Sequence, residues 1–272
     1  KRELISSTFL FIGYSFSDYL VMDFLSENTR YLGEAASYHY TIMKENKNDP
    51  YFNHFINDLE SRYHIRVLLV SEYTEIFKVL SELNKRIRNK RVFISGAFRS
   101  FDLGIDEYSH SLARSITSHL LANDYRIVNG IGRHFGTHII GYANEYLAKK
   151  GIKDKEKYII VRPFVGLGEK SLEDKKRMRE EIIGECGSVI FVFGDYNANS
   201  PNPNSGVKEE FEISLKNHKT IIPIAYPGMR SEIIWNQMKS NITQYPHLEK
   251  SIDLLTSKCD TEVLAKIIIH IL

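Results

Sequence analysis

The sequence is poor in cysteine, has no long apolar run and carries almost no net charge. Its two cysteines, Cys186 and Cys259, provide neither a disulfide framework nor the spacing of a zinc site, so a reducing cytoplasm is the simplest compartment. No apolar run approaches the roughly 20 residues of a membrane-spanning helix, and the N-terminus has no signal-peptide pattern. A net charge of +2 argues against general nucleic-acid binding, which needs a strongly basic face. We therefore expect a cytoplasmic protein that binds neither nucleic acid nor membranes.

The remaining composition is that of an ordinary globular protein. The 272 residues are 43% hydrophobic and 26% charged, which is enough for one large core or two modest ones. The chain starts with Lys1 and has no initiator Met, so we expect it to begin inside a larger protein.

Strand and helix patterns alternate along the chain, which is typical of parallel α/β architecture. We predict two Rossmann-like parallel-sheet units, in residues 1–88 and 89–272, joined by a basic run at residues 85–91. In the first unit the pattern predicts strands at 8–13, 38–43 and 65–70, the last of a fully buried type, and a helix at 52–63. In the second it predicts strands at 92–95, 126–129, 157–163, 189–194 and 220–225, with helices between them.

Small residues follow two of the predicted strands of the second unit. Ser95 and Gly96 end the first strand, and Gly130 and Gly132 come directly after the second. Such turns place backbone N–H groups and a helix N-terminus where a phosphate can bind. Glycine alone is a weak signal, because α/β proteins of any function need it where strands turn into helices.

Two charged residues are candidates for ligand contact in the second unit. Arg162 ends a strand that we predict to be central and buried, where a guanidinium faces the ligand crevice and suits a phosphate. The alternative is a structural ion pair with a carboxylate such as Glu210. Glu210 lies in the first turn of a predicted helix, where it either interacts with the helix dipole or accepts hydrogen bonds from ribose hydroxyls.

Further basic residues and histidines give a less specific signal. One helix carries several cations that we expect to face water, although one of them could reach a phosphate: Lys175, Lys176, Arg177 and Arg179. Arg99, Arg133 and His134 follow the two turns more closely and are better candidates. A lone histidine such as His134 or His138 is more often structural. No Ser-His-Asp or Cys-His arrangement and no metal cluster is recognisable, so we expect no metal site.

Specific motifs resemble two known kinds of domain. Residues 11–18, FIGYSFSD, resemble the late nucleotide-binding segment of sirtuin-type NAD-consuming domains, in which a Gly-x-Ser turn touches the ribose and phosphate of NAD. Residues 91–272 resemble the SLOG domain, a relative of the LOG nucleotide hydrolases, through the two turns, the strand end at 161–164 and the helix start at 206–211. A sirtuin-type domain followed by a SLOG domain is similar to the effectors of Thoeris antiphage defence.

The resemblance implies a function for each part. In that family the SLOG domain binds a cyclic ADP-ribose isomer made by a TIR-domain partner protein, and a homo-oligomer then opens the sirtuin-type site, which hydrolyses NAD. NAD is thus the substrate of the parent protein, the cyclic isomer is its activator, and no cofactor is permanently bound. The resemblance implies NAD contacts for Gly13 and Ser15. It implies binding of the signal by Ser95, Gly96, Gly130, Gly132, Arg162 and Glu210. Arg99 and Arg133, which follow the two turns, and Lys208 are further candidates for contact with the same ligand.

The sequence also departs from both families. The sirtuin-type part lacks its first half, including the glycine-rich loop and the Asn and His that act on NAD, so we expect no catalytic residues and no activity in this chain alone. Where LOG hydrolases have Pro-Gly-Gly-x-Gly-Thr-x-x-Glu, residues 202–210 keep Gly206 and Glu210 but lose the Gly-Gly pair and the Thr. This favours a binding pocket. The alternatives are a LOG-like nucleotide N-glycoside hydrolase that uses Arg162 and Glu210, and a scaffold without a ligand.

Overall fold

A computed structural model gives the structure of residues 2–98, 103–163, 171–194 and 206–272. The chain divides into two compact units, Lys1–Asn84 and Lys85–Leu272. Each unit contains a parallel sheet, which confirms the α/β architecture that the alternating pattern predicted. The domain boundary after residue 88 stays a prediction. None of the helices in the described ranges is long and apolar enough to cross a membrane.

The first unit is built on a sheet of order β1-β2-β3 with all strands parallel. Its elements are α1 (Arg2–Ser6), β1 (Leu10–Ile12), α2 (Tyr19–Leu32), β2 (His39–Lys44), α3 (Phe52–Tyr63), β3 (Ile65–Val70) and the first part of α4 (Thr74–Asn89). The predicted bounds of α3 and β3 agree with the structure, whereas α1 was not predicted.

The core of the first unit contains apolar side chains from both the sheet and the helices. Leu25 of α2, Leu59 of α3 and Ile65 of β3 are buried in one cluster. The prediction that the strand at 65–70 is fully buried is wrong, because Leu68 and Leu69 are 48% and 39% exposed. β3 is an edge strand of its sheet, and an apolar run does not show whether a strand has neighbours on both sides.

The second unit is a five-stranded parallel sheet of order β6-β5-β4-β7-β8. Its elements are β4 (Arg91–Ser95), α5 (Leu103–Ala122), β5 (Arg126–Asn129), α6 (Phe135–Lys149), β6 (Ile159–Val161), α7 (Ser171–Gly184), β7 (Ser188–Val192), α8 (Gly206–Lys216), β8 (Thr220–Ile224), α9 (Arg230–Ser240) and α10 (Thr261–Ile271). This order confirms the Rossmann-like prediction. From β4 the chain adds β5 and β6 on one side of the sheet and then β7 and β8 on the other. Ligands bind in such sheets at the point where this order reverses, which is between β4 and β7.

Apolar residues fill both faces of the central strands. All five residues of β7 are buried, and in β4 only the first residue is partly exposed. Ile94 of β4 lies opposite Ile190 of β7 in the ladder. Near-continuous apolar strands are typical of a parallel sheet that helices cover on both faces. The core therefore fixes the position of the carboxyl ends of β4 and β7.

The structure corrects the predicted location of Arg162. It follows β6, which is the outer strand of the sheet and not a central one, and its side chain is exposed. Its backbone N–H donates to the carbonyl of Asn129 at 2.9 Å. An apolar strand such as β6 has the same sequence pattern at the edge of a helix-covered sheet as in its centre, so the pattern could not distinguish the two.

The turns after β4 and β5 pack directly against each other. A Cβ atom on Gly132 would overlap the carbonyl oxygen of Gly96, and a Cβ atom on Gly96 would lie 2.7 Å from the carbonyl oxygen of Val192. Neither neighbour is the end of a flexible side chain, so the backbone itself would have to move. These two glycines are therefore required for close backbone packing, whether or not a ligand is bound.

We predict that Gly132→Ala destabilises the second unit by about 1–3 kcal/mol, because overpacking of this size forces the backbone to shift. Gly141→Ala is the matched control, since nothing lies within 4 Å of a Cβ atom at that position of α6, and it should add up to about 1 kcal/mol of helix stability. Chemical denaturation of both variants measures the effect. Equal stability of the two variants would contradict the proposed packing.

Candidate functional site

Three polar side chains meet at the carboxyl end of β4. The hydroxyl of Ser95 donates to Oε2 of Glu210 at 2.5 Å, and Nε of Arg179 donates to Oε1 of the same carboxylate at 3.2 Å. Ser95 ends β4, Glu210 lies in the first turns of α8, and Arg179 lies in the second half of α7. Both oxygens of the Glu210 carboxylate are thus engaged by protein donors.

A second carboxylate completes this network. Nη1 of Arg179 donates to Oε2 of Glu209 at 2.5 Å, so one guanidinium lies between two carboxylates. The side chains of Arg179 and Glu210 are only 14% and 8% exposed. Hydrogen bonds between ionised groups are short and strong, and a buried charge needs such partners. We refer to Ser95, Arg179, Glu209 and Glu210 as the switch-point network.

Burial raises the pKa of Glu210, although the hydrogen bond from Ser95 and the charge of Arg179 act in the opposite direction. The removal of the carboxylate from water therefore outweighs its two favourable contacts. A carboxylate in this state gains from any further hydrogen-bond donor, because its charge is poorly solvated. Perturbed groups of this kind in a crevice are typical of functional sites.

A glycine allows the guanidinium to lie against the start of α8. A Cβ atom at Gly206, the first residue of α8, would lie 2.7 Å from Nη2 of Arg179. Gly206 is also the glycine that the sequence comparison with LOG hydrolases found retained. The close approach places the guanidinium beside the N-terminus of α8, which is the positive end of the helix dipole. Both groups favour an anion at this point.

The backbone at the end of β7 adopts a strained conformation. Phe193 and Gly194 both have positive φ angles, of 58° and 90°, and a bulky residue in that region costs of order 1–3 kcal/mol. Two hydrogen bonds hold the turn: Gly194 N–H donates to the carbonyl of Ala97 at 2.9 Å, and the N–H of Arg230 donates to the carbonyl of Gly194 at 2.7 Å. The turn thus connects the segment after β4 to the start of α9.

Asn129 holds the turn after β5. Its Oδ1 accepts from the backbone N–H of Ile131 at 2.8 Å, and its Nδ2 donates to the carbonyl of Ile94 at 3.3 Å. Ile131 has a φ of 55°, which is rare for a β-branched residue. The buried amide therefore links β4 to the strained turn that carries Gly130 and Gly132.

The structure brings some of the predicted ligand residues together and separates others. Ser95 and Glu210 are in contact, and the turn at Gly96 packs against that at Gly132. Among the others, Gly130 is buried, Lys208 is partly exposed with Nζ 3.6 Å from Oε1 of Glu212, and Arg133 and Arg162 are exposed. Arg99 lies outside the described residues. The ligand roles of all these residues stay predictions.

Arg179 was not predicted to be the central cation. Arg162 was the predicted possible partner of Glu210, whereas Arg179 makes this contact. A signal was present, because Ile182 and Ile183 follow Arg179 at i+3 and i+4 on one face of α7. Both isoleucines are buried. The periodicity of α7 thus separates Arg179 from the more exposed Arg177.

In the first unit a turn follows β1, at the residues that resemble the Gly-x-Ser turn of sirtuin-type domains. Gly13 has a φ of 67°, and the hydroxyls of Ser15 and Ser17 are 2.7 Å apart. Asp18 caps α2, and its Oδ1 accepts from the N–H of Leu20 at 3.0 Å. Gly13 and Ser15 are exposed at the carboxyl end of β1. Their contact with NAD stays a prediction.

The second unit thus has the features of the Rossmann-like class, an open parallel sheet with a network of polar side chains where the strand order reverses. Residues 75–272 match the profile of the Sir2- and TIR-associating SLOG family, and the chain belongs to this family. Residues 1–68 match the profile of the SIR2-like domain.

Curated relatives cover both units. The chain is 28% identical to the NAD(+) hydrolase ThsA of Bacillus cereus, over 97% of this chain and 58% of that protein. It is 31% identical to the ThsA of Enterococcus faecium, over 96% of this chain and 58% of that protein. The chain therefore spans somewhat more than half the length of these relatives. A solved structure of DNA processing protein A from Helicobacter pylori aligns with 58% of this chain and 75% of its own at 14% identity, and its TM-score of 0.35 supports no functional conclusion.

We predict that Glu210→Gln changes how stability depends on pH. Because the folded-state pKa of Glu210 is raised above its ordinary value of 4.5, folding favours the protonated form. The stabilisation that protonated Glu210 contributes to the folded state is fully present below the pKa that this carboxyl has in the unfolded chain. It is lost as the pH rises through the pKa that the carboxyl has in the folded state. Glutamine has no proton to lose, so the variant should gain stability relative to the wild type as the pH rises.

Denaturant titrations at a series of pH values test this prediction. Glu212→Gln, on the same helix but with a side chain 60% exposed, is the matched control. A stability difference between wild type and Glu210→Gln that stays constant across the pH series would show that the folded state does not raise the pKa of this carboxyl.

Proposed function

We propose that the second unit senses a small phosphate-containing nucleotide, a cyclic ADP-ribose isomer, and binds it at the carboxyl ends of β4 and β7. The observation that carries this proposal is the switch-point network. It combines a guanidinium, two carboxylates and a hydroxyl at the position where α/β sheets bind nucleotides. The resemblance to Thoeris effectors supports the choice of ligand.

Each member of the network matches a different part of such a ligand. The guanidinium of Arg179 suits a phosphate, because its planar donors can engage two oxygens. Glu210 suits the ribose hydroxyls, since a buried carboxylate gains from each donor that reaches it. The turns at Gly96 and Gly132 let backbone approach the ligand closely. Arg133 and Arg162, which follow β5 and β6, and Lys208 of α8 are further candidates for contact with the charged groups of the ligand.

We further infer that the whole protein hydrolyses NAD in antiphage defence. Its curated relatives carry the name NAD(+) hydrolase ThsA, and residues 1–68 match the profile of the SIR2-like domain. In this proposal a TIR-domain partner makes the signal, the SLOG unit binds it, and a homo-oligomer changes its packing to open the sirtuin-type site. Such activation requires that the ligand bind one state of the oligomer more tightly than the other.

A second candidate function is cleavage of a nucleotide N-glycosidic bond by the SLOG unit itself. The buried Glu210, with its raised pKa, is the feature that favours it, because catalytic acids and bases have perturbed pKa values. The predicted partner Arg162 follows the outer strand β6, however, and the residue in contact with Glu210 is Arg179. The sensor function accounts for this arrangement without a catalytic pair.

Calorimetry of the chain against cyclic ADP-ribose isomers, with ADP-ribose and NAD as controls, tests the sensor proposal. Saturable binding of one cyclic isomer, much tighter than that of the controls, is the expected result. If none of the isomers binds, an assay for free base released from nucleoside monophosphates tests the hydrolase alternative. Absence of both activities would leave the scaffold function.

We predict that Arg179→Met weakens binding of the cyclic isomer by about ten- to a hundredfold, which corresponds to the loss of a hydrogen bond to a charged group. Arg177→Met is the matched control, because this side chain lies on the same helix but is 69% exposed and pairs with Asp174. Circular dichroism verifies that both variants fold. Equal affinity of the two variants would exclude Arg179 from the site.

The variant Arg162→Ala shows how far the site extends. Unchanged affinity restricts the site to the carboxyl ends of β4 and β7. A comparable loss of affinity would show that the ligand also reaches Arg162 at the end of β6, in agreement with the ligand contact predicted for this residue.

A further inference from the structure

Three side chains of metal-binding type come together on α5 and α6, on residues that the proposed sensor function does not use. Asp106 and His110 are one helical turn apart on α5, and His138 lies on α6. One potential ligand atom from each lies within 4.8 Å of the others. All three residues are partly buried. The set of two imidazoles and one carboxylate is one that divalent transition metals prefer.

The distances between these groups are too long for direct hydrogen bonds but suit an intervening ion. Nε2 of His110 lies 3.7 Å from Oδ2 of Asp106, and Nε2 of His138 lies 3.9 Å from Oδ1 of Asp106. Hydrogen bonds between such atoms are shorter than about 3.2 Å. A metal ion with bonds of about 2.0–2.2 Å to nitrogen and oxygen holds its ligands roughly 3–4 Å apart.

A hydrogen-bond chain fixes the tautomer of His138. The hydroxyl of Ser109 lies 2.8 Å from the carbonyl oxygen of Asp106 and 3.0 Å from Nδ1 of His138. Because the carbonyl can only accept, the single hydroxyl hydrogen is donated to it, and Nδ1 of His138 must carry the proton that Ser109 accepts. The Nε2 lone pair of neutral His138 then faces the carboxylate of Asp106.

This arrangement brings two electron-rich groups together without a hydrogen between them. A lone pair that faces a carboxylate is stabilised by a cation between them. Metal-bound histidines are typically held in this way, with the second ring nitrogen donating to a fixed oxygen.

The second imidazole is oriented in a similar manner. Nδ1 of His110 lies 3.0 Å from the hydroxyl of Tyr142 on α6. The rings of His110 and His138 stack with their centroids 3.7 Å apart and an interplanar angle of 25°. Nε2 of each ring lies within 4 Å of an oxygen of the Asp106 carboxylate. Each imidazole thus has its own hydroxyl partner behind it.

We propose that Asp106, His110 and His138 bind one divalent transition-metal ion, with Ser109 and Tyr142 orienting the two imidazoles. Three protein ligands leave a further coordination position for water or another ligand. The ion links α5 to α6, two helices that extend from the turns after β4 and β5. Binding to the folded state alone stabilises the protein, so the ion makes this pair of helices more resistant to unfolding.

The test uses the full chain, purified without a histidine tag and stripped of metal with a chelator. We expect calorimetry with ZnCl2 to give saturable binding of one ion per chain, and CoCl2 to give the visible absorption of Co²⁺ held by protein ligands. Zn²⁺ should also raise the thermal unfolding midpoint. His110→Asn and His138→Asn should each lose at least about tenfold in affinity, and Tyr142→Phe about ten- to a hundredfold.

Two control variants identify other sources of binding. His119→Asn removes a histidine of the same helix whose Nδ1 lies 3.0 Å from the carbonyl of Ser115, and Cys259→Ser removes the partly exposed thiol. Both should bind Zn²⁺ as the wild type does. The proposal is overturned if the wild type binds none of Zn²⁺, Co²⁺ and Ni²⁺ saturably. It is also overturned if His110→Asn and His138→Asn, folded by circular dichroism, keep the affinity of the wild type.

Discussion

The central position of β4 is the constraint on which the second unit depends. β4 pairs with β5 on one side and with β7 on the other. The carboxyl end of β4 therefore lies at the point where the strand order of the sheet reverses. Ser95 is buried at that point, and a buried hydroxyl needs a partner. Glu210 supplies it, and the carboxylate in turn requires a cation. The switch-point network thus follows from the strand order, because each buried polar group requires the next one as its hydrogen-bond or charge partner.

The network also holds elements that are distant in sequence. Arg179 connects α7 to both carboxylates at the start of α8, and Ser95 connects the same carboxylate to β4. Removal of one member takes a hydrogen-bond partner from its neighbours, so effects of substitutions within the network will not be additive. The strained turn at Phe193 and Gly194 is held from two sides by backbone hydrogen bonds. Rigid surroundings of this kind keep a site in position before a ligand arrives.

Much of the fold could be predicted from periodicity, whereas the contacts at the two sites could not. The bounds predicted for α3, β3 and β5 agree with the structure, and the pattern correctly indicated turns at Ser95 and Gly130. Periodicity shows which face of an element is apolar but not which strand lies beside which, so Arg162 was assigned to a central strand. For the same reason the cluster of Asp106, His110 and His138 was missed. The i, i+4 spacing of the first two was visible, but only the packing of α5 against α6 brings in the third.

The position of one guanidinium between two carboxylates has a consequence for selectivity. An inorganic phosphate that approaches Arg179 also approaches Glu209 and Glu210, whose negative charges repel it and compete with it for the same donors. A ligand that brings hydroxyl donors together with its phosphate satisfies both the cation and the carboxylates. Discrimination of this kind rests on groups that a wrong ligand leaves unpaired. In the proposed sensor site, the same residues that hold the network together would therefore disfavour abundant free phosphate.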